Sequence, residues 1–224
     1  MKTLRAGVIG LGMGKGHIDG YRMNPAVDVV AVADKDPVRL EEIGAAKGGA
    51  KRYTCAEEML SKEKLDVVSV VTPNVLHKPL TLAAFAAGCH VLCEKPMAMN
   101  AGEAEDMLAA AGKAGKRLMI NFSTRFRDPS WALKKEIDDG ILGEIYFARS
   151  VWHRRRGMPG FGGWFGTKAL SGGGPLIDLG VHRLDLALWL MGYPEPEWVL
   201  GRTFNHLGAE RARIEGKTFD VEDL

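Results

Sequence analysis

The stretch Gly10-Leu11-Gly12-Met13-Gly14-Lys15-Gly16-His17 decides how this chain is read. It follows a short apolar run, Arg5 to Ile9, with the character of a strand, and it leads into residues of helical composition. A glycine-rich turn between a first strand and a first helix aims backbone N–H groups at an anion. Glycine permits the sharp turn and the close approach, and the helix N-terminus is electropositive. Gly10, Leu11, Gly12, Met13 and Gly14 would then lie along the pyrophosphate of a dinucleotide. The match to G-x-G-x-x-G is incomplete, because Lys15 stands where the third glycine is expected. Taken alone the signal is weak, and a plain strand-to-helix turn stays open.

Further signals come at the ends of later strands. Val27 to Ala33 reads as a strand and ends in Asp34, roughly 20 residues beyond the turn, where an acidic residue reaches the adenosine ribose hydroxyls. Its charge disfavours a 2′-phosphate, so NAD is expected, while Lys35 and Arg39 leave NADP open. Asp34 read singly is also an ordinary polar strand terminus. The strand Asp66 to Val71 runs into Thr72-Pro73-Asn74, with His77 following. Ligands bind at the carboxyl ends of strands in open α/β sheets, which makes these four residues cofactor candidates. Pro-Asn is equally a common turn, and His77 by itself could be a surface histidine. His90 to Cys93 is followed by Glu94-Lys95-Pro96, which brings an ammonium to the crevice of the sheet. Such a lysine can hold an alcohol oxygen and favour its deprotonated form. By position alone, a surface ion pair before a proline is the plainer reading.

The pattern around these motifs alternates strand and helix. Val75 to Ala87 ends at Gly88 and Ala101 to Ala114 ends at Gly115, both glycines standing where a helix C-cap is expected. Asn100 with Glu103 has the form of a variant capping box, and Leu118 to Asn121 reads as a further strand. The unbroken apolar run at Val67 to Val71 implies burial on both faces, hence a mainly parallel sheet covered by helices on each side. The expectation is an α/β chain whose residues 1–122 form a Rossmann, doubly wound parallel sheet.

From 123 to 224 the rhythm changes. A helix from Pro129 to Asp139, a strand from Glu144 to Trp152, a glycine-rich loop to Gly174, a helix from Pro175 to Met191 and a strand from Trp198 to Phe204 are expected. These are too few elements to close a core, so this part reads as an incomplete α/β domain. Asp178 and His182, four apart in the helix, share one face. Histidine, with a reference pKa of about 6.5, suits proton exchange with an alcohol near neutral pH. An aspartate favouring the helix dipole beside a satisfied histidine explains the pair as well.

Composition narrows the class of function. The chain has 224 residues, 46% of them hydrophobic and 26% charged, and a net charge of +2. That balance provides no global field to recruit nucleic acid or an anionic membrane. The basic run His153-Arg154-Arg155-Arg156 is local and reads as a solvated or substrate-facing loop. No apolar run approaches the ~18 residues of a membrane span. Cys55, Cys89 and Cys93 are odd in number and form no CxxC pair, which fits a reducing cytoplasm. Glycine, at 28 of 224, is in excess and concentrates at 10–16, 157–166 and 172–174, where backbone must turn or approach something closely.

In order and spacing, the glycine turn, Asp34, Thr72-Pro73-Asn74 with His77, Glu94-Lys95-Pro96 and the stretch Gly172 to His182 resemble the glucose–fructose oxidoreductase, inositol dehydrogenase and rhizopine-catabolism (Gfo/Idh/MocA) family. The resemblance covers essentially the whole chain. It implies a second domain, 123–224 here, with a mostly antiparallel sheet. It also implies hydride transfer between NAD(P) and a hydroxyl or carbonyl of a sugar, inositol or related polyol. Lys95 would hold the reacting oxygen, Asp178 would orient substrate hydroxyls, and His182 would exchange the proton. Gly10, Gly12, Asp34, Thr72, Asn74 and His77 would line the cofactor, with Trp164 and Arg154 to Arg156 as weaker candidates for closing the site. No metal is implied. A homodimer or homotetramer is implied for an intact chain. Members of the family run longer, so this chain reads as C-terminally truncated. An NAD-using glycosidase of the same architecture and a non-catalytic dinucleotide-binding protein or inactive fragment are the alternatives. Net NADH production, sugar release without it, or cofactor binding without turnover would tell the three apart.

Overall fold

Short β-branched runs separated by alanine- and leucine-rich segments build a layered first unit. The structure is a computed structural model and describes residues 3–47, 49–153 and 162–222. The chain divides into two units, Met1–Asn121 and Phe122–Leu224. In the first, β1 (Leu4–Ile9), α1 (Gly14–Arg22), β2 (Val27–Ala33), α2 (Pro37–Lys47), β3 (Lys51–Tyr53) and α3 (Ala56–Lys62) are followed by β4 (Val67–Val70), α4 (His77–Ala86), β5 (His90–Glu94), α5 (Ala101–Ala114) and β6 (Leu118–Asn121). The six strands are parallel, in the order β3-β2-β1-β4-β5-β6. The order therefore reverses between β1 and β4, and a crevice opens at such a switch point.

Each face of the sheet has its own core. Val8, Val32, Leu11 and Ile18 pack with Leu40 and Ile43 of α2 on one side. Val68, Val70, Met59, Leu80, Phe85 and Met107 pack on the other, drawing on α3, α4 and α5. Each large apolar side chain removed from water contributes about 1.5–3 kcal/mol, so both layers hold the central strands in register. That register matters for the site. Ile9 stands opposite Ala33 on one side and Val70 on the other, Val70 opposite Cys93, and Glu94 opposite Asn121. Gly10, Asp34, Val71, Glu94 and Asn121 consequently form one row along the carboxyl edge.

The second unit contains α6 (Asp128–Asp138), the short α7 (Lys168–Ser171), a π-helical turn (Leu176–Gly180), α8 (Val181–Leu190) and α9 (Leu207–Glu215). Trp131 of α6 meets Trp189 of α8 edge-on, with ring centroids 5.5 Å apart. Arg125 pairs with the buried Asp185 of α8, Nε donating to Oδ2 at 2.6 Å. Glycine lets two segments touch: a Cβ on Gly174 would sit 2.0 Å from the Glu222 carbonyl oxygen. Gly174 N–H donates to the Glu222 carboxylate at 2.9 Å, and Lys168 N–H to Asp220 at 2.6 Å.

Two expectations for this unit are corrected. No strand occurs among its described residues: 144–152 and 198–204 are irregular, with Tyr146, Phe147, Val199 and Leu200 exposed. A strand exists only by pairing, and no described segment lies alongside to complete a ladder. The antiparallel sheet implied by the resemblance is therefore not observed. The helix expected from Pro175 also opens with a π turn. Gly180 permits this close winding, since a Cβ there would meet Leu176 Cδ1 at 2.8 Å.

Candidate functional site

Gly10 fixes the shape of the glycine turn. Its φ is +90°, and a Cβ would lie 2.1 Å from the carbonyl oxygen of Val71, so only glycine fits between the ends of β1 and β4. Gly12 differs: it is exposed, and the nearest atom to a Cβ there is Arg39 Nη1 at 3.7 Å. The first position thus closes the turn and the second leaves bare backbone facing outward. Gly14 begins α1, and no side chain caps that helix N-terminus; Gly16 N–H turns back to the Met13 carbonyl at 3.0 Å, and a helix N-terminus of this kind suits an external anion. Met13 is exposed beside them.

Asp34 is buried at the end of β2 and ties the turn to its neighbour. Oδ2 accepts from Leu11 N–H at 2.7 Å and Oδ1 from Asp36 N–H at 2.9 Å. A carboxylate has about four lone-pair positions, so each oxygen can accept one further donor. Arg39 lies 3.8 Å from Asp34 Oδ2 and 3.4 Å from Asp36 Oδ2. Leu11, also expected to line the cofactor, sits on the inner side of this turn. Its side chain is enclosed in the core and its N–H is committed to Asp34.

Thr72 and Pro73, half-buried, continue from β4, and Thr72 Oγ1 is buried with no hydrogen-bond partner among the described residues. A buried hydroxyl without a partner costs stability. Asn74 is almost fully buried behind them. His77 has no exposed surface: Nδ1 lies 2.7 Å from the Pro96 carbonyl oxygen and Nε2 2.9 Å from that of Thr72. Burial pushes its pKa down against the pull of the two carbonyls. The ring, expected to line the cofactor, bridges the Thr72 turn and the Lys95-Pro96 turn.

Glu94 ends β5. Oε1 accepts from Asn121 Nδ2 at 2.6 Å and lies 3.0 Å from His17 Nε2, while Oε2 accepts from Lys95 N–H at 3.2 Å. Burial alone would raise its pKa, but His17 and Asn121 outweigh that and hold it below the usual carboxylate range. Sequence reading missed His17, Ser69 and Asn121 as parts of this site. The quoted turn ended on His17, but nothing in one sequence shows which way a helical side chain crosses a sheet.

In the second unit, Asp178 lies in the π turn and His182 in the first turn of α8, both half-buried. The His182 ring lies among aromatic groups, 6.3 Å from Phe122 in a T-shaped contact and 6.0 Å from Trp152. Such π turns frequently mark functional segments. Trp164 stacks on Phe165 at 3.7 Å, and Arg154 to Arg156 lie outside the described residues. Among the described residues, no group of three or more His, Cys, Asp or Glu is placed to hold a metal ion, and no helix is long and apolar enough to cross a membrane. A cavity of about 420 Å³ near Arg5, Asp28, Lys51 and Glu63 lies on the amino-terminal side of the sheet, away from the row of motifs.

A six-stranded parallel sheet in this order, with its motifs along the carboxyl edge, has the architecture of a dinucleotide-binding Rossmann domain. Residues 4–122 match the oxidoreductase family with an NAD-binding Rossmann fold, and residues 130–223 match the GFO/IDH/MocA C-terminal domain. The chain belongs to the Gfo/Idh/MocA oxidoreductase family. It is 38% identical to D-glucoside 3-dehydrogenase of Escherichia coli (strain K12) over 227 residues, covering 98% of this chain and 64% of that protein. Among solved structures it is similar to myo-inositol 2-dehydrogenase from Lactobacillus plantarum, with a TM-score of 0.81, 30% identity, and coverage of 98% of this chain and 64% of the other. It is also similar to GenD2 from gentamicin A biosynthesis in complex with NAD, with a TM-score of 0.84, 28% identity, and coverage of 100% and 61%. The chain thus spans just under two thirds of the length of these relatives.

Proposed function

We propose that this chain carries the cofactor site and the reacting side chains of an NAD-dependent dehydrogenase acting on a CH–OH group of a sugar, inositol or related polyol. The observation that carries the reading is Lys95, directly after β5 and next to the row of Gly10, Asp34, Val71 and Glu94. In this division of labour residues 1–122 bind the dinucleotide and 123–224 contribute to substrate binding. The exposed N–H groups around Gly12 and α1 hold the pyrophosphate. Asp34 accepts from the adenosine ribose hydroxyls and repels a 2′-phosphate. Arg39, already paired with Asp34 and Asp36, is poorly placed to offset that repulsion, which favours NAD over NADP. Bound NAD supplies the hydride acceptor.

The Lys95 ammonium lowers the cost of charge developing on the substrate oxygen as its proton leaves. An imidazole nitrogen of His182 takes that proton in oxidation and returns it in reduction, and Asp178 orients neighbouring hydroxyls. Support for the last two roles comes from their position on one helical segment and from the family to which the chain belongs. Exposed apolar side chains at 144–152 and 198–204 favour burial against a second copy, hence a homodimer or homotetramer. Three free cysteines, two of them buried, fit a cytoplasmic setting. The test is NADH formation on mixing the enzyme and NAD with a panel of polyols and sugars. His182→Ala should depress turnover at least about 100-fold, the lower range for a general acid–base group, with NAD affinity little changed. Equal loss of both would remove the role assigned to His182.

A further inference from the structure

His17 stands at two places at once. Its backbone lies in the first turn of α1, at the phosphate end of the helix, while its ring reaches across β4 to β5. Nδ1 lies 3.0 Å from Ser69 Oγ and Nε2 3.0 Å from Glu94 Oε1. One turn further along α1, the Tyr21 hydroxyl lies 2.9 Å from the same Ser69 Oγ. Ser69 is fully buried, and the His17 and Glu94 side chains are 9% and 18% exposed, so water competes little for these bonds. Three contacts therefore stand in line, Tyr21 hydroxyl to Ser69 hydroxyl, Ser69 hydroxyl to Nδ1, and Nε2 to the Glu94 carboxylate, with the ring's donor and acceptor roles set by its tautomer. The last bond is charge-assisted, a class roughly twice as strong as neutral pairs. Glu94 in turn accepts the backbone N–H of Lys95. The glycine-turn helix and the lysine turn are thus joined by one continuous hydrogen-bonded path.

We propose that His17 is a positioning residue that couples occupancy of the glycine turn to the placement of Lys95. The proposal rests on the dinucleotide reading above. A ligand that draws in the N-terminus of α1 shifts the His17 ring, and the ring carries the Glu94 carboxylate and the Lys95 turn with it. Coupling of this kind is reciprocal, so a correctly held Lys95 turn also favours ligand at the loop.

The probe is ADP-ribose, which fills the pyrophosphate and adenosine positions without a nicotinamide ring to cover Lys95. Hydrogen exchange of the Lys95 amide is followed with and without it, alongside its affinity and the melting temperature of each variant. In the wild type, saturating ADP-ribose should slow Lys95 exchange at least about fivefold, the lower bound of typical coupling. His17→Ala should still bind ADP-ribose and lose that slowing. His17→Gln, which keeps a donor toward Glu94, should retain it, whereas His17→Asn, which reaches only toward Ser69, should not. The last two keep a polar side chain and decide the question even if His17→Ala fails to fold. Equal slowing in His17→Ala or His17→Asn and the wild type overturns the proposal alone. Absence of ADP-ribose binding by the wild type overturns the dinucleotide reading, and the proposal with it.

Discussion

Gly10→Ala and Gly12→Ala change the same loop by the same methyl group, yet the structure predicts opposite outcomes. At position 10 the methyl would overlap the Val71 carbonyl, 2.1 Å from its oxygen and 2.7 Å from its carbon, at a φ of +90°. A disfavoured backbone conformation costs about 1–3 kcal/mol and forced overpacking about the same again. The sum, about 2–6 kcal/mol, is a large part of the 5–15 kcal/mol that holds a typical domain folded. Gly10→Ala should therefore lower the denaturation midpoint markedly before any ligand is added. At position 12 the methyl has its nearest neighbour at 3.7 Å, so Gly12→Ala should melt within about 0.5 kcal/mol of the wild type, as unstrained surface changes do. It should nevertheless weaken NADH binding, because the methyl projects where pyrophosphate would approach. Urea denaturation of both variants with NADH titration of the folded forms separates the effects. A wild-type midpoint for Gly10→Ala, or unimpaired NADH binding by Gly12→Ala, would refute the reasoning.

Arg125→Ala leaves the carboxylate of Asp185 buried without its guanidinium, and loss of one partner of a buried pair costs about 3–5 kcal/mol. The low end applies because the Arg125 side chain is 27% exposed; chemical denaturation should show it, with Arg125→Ala/Asp185→Leu recovering much of the loss. Acid should destabilise the first unit through Glu63 and Glu94. Both have depressed carboxyl pKa values, Glu63 through Lys51 and Tyr53, and Glu94 through His17 and Asn121 against the opposing effect of burial. Their contribution is complete above the unfolded carboxylate value of about 4.3 and is lost as pH falls below it. Melting temperatures across that range should fall less steeply for Glu63→Gln than for the wild type. His77→Ala removes the imidazole held between the carbonyls of Thr72 and Pro96 and takes the ring's N–H donor from one of them, at about 1–3 kcal/mol for a buried unsatisfied group. Its melting temperature should drop, with NADH affinity of the folded fraction reduced because the Thr72 turn loses its brace.

The first unit was legible because its signals are local. Val27 to Ala33 and Leu118 to Asn121 fall where the apolar runs placed them, and Ala101 to Ala114 ends at Gly115 with φ +62°. The Asn100 cap forms, its Oδ1 accepting from Glu103 N–H at 3.0 Å, although the Glu103 carboxylate returns to the N–H of Met99. β3 escaped notice because three polar, largely exposed residues at a sheet edge carry no periodic pattern. The second unit was harder to read for a physical reason. Strand pairing is a property of two segments, and 144–152 has the composition of a strand without a described partner. The glycines of 162–174 were rightly read as points of close approach, but their partners at 218–222 are distant in sequence and left no local trace. At the site, residue identities were visible while their facing was not. Leu11 sits on the inner side of the glycine turn, His77 bridges the Thr72 and Lys95-Pro96 turns, and His17 joins α1 to Glu94.

The central claim is that the carboxyl edge of this sheet is an NAD site with Asp34 facing the adenosine ribose. Titration of the 224-residue chain with NADH and with NADPH, followed by cofactor fluorescence, tests it most directly. The account predicts saturable binding of one NADH per chain and at least about tenfold weaker binding of NADPH, a difference of about 1.4 kcal/mol. Failure of NADH to bind, or tighter binding of NADPH, would contradict it.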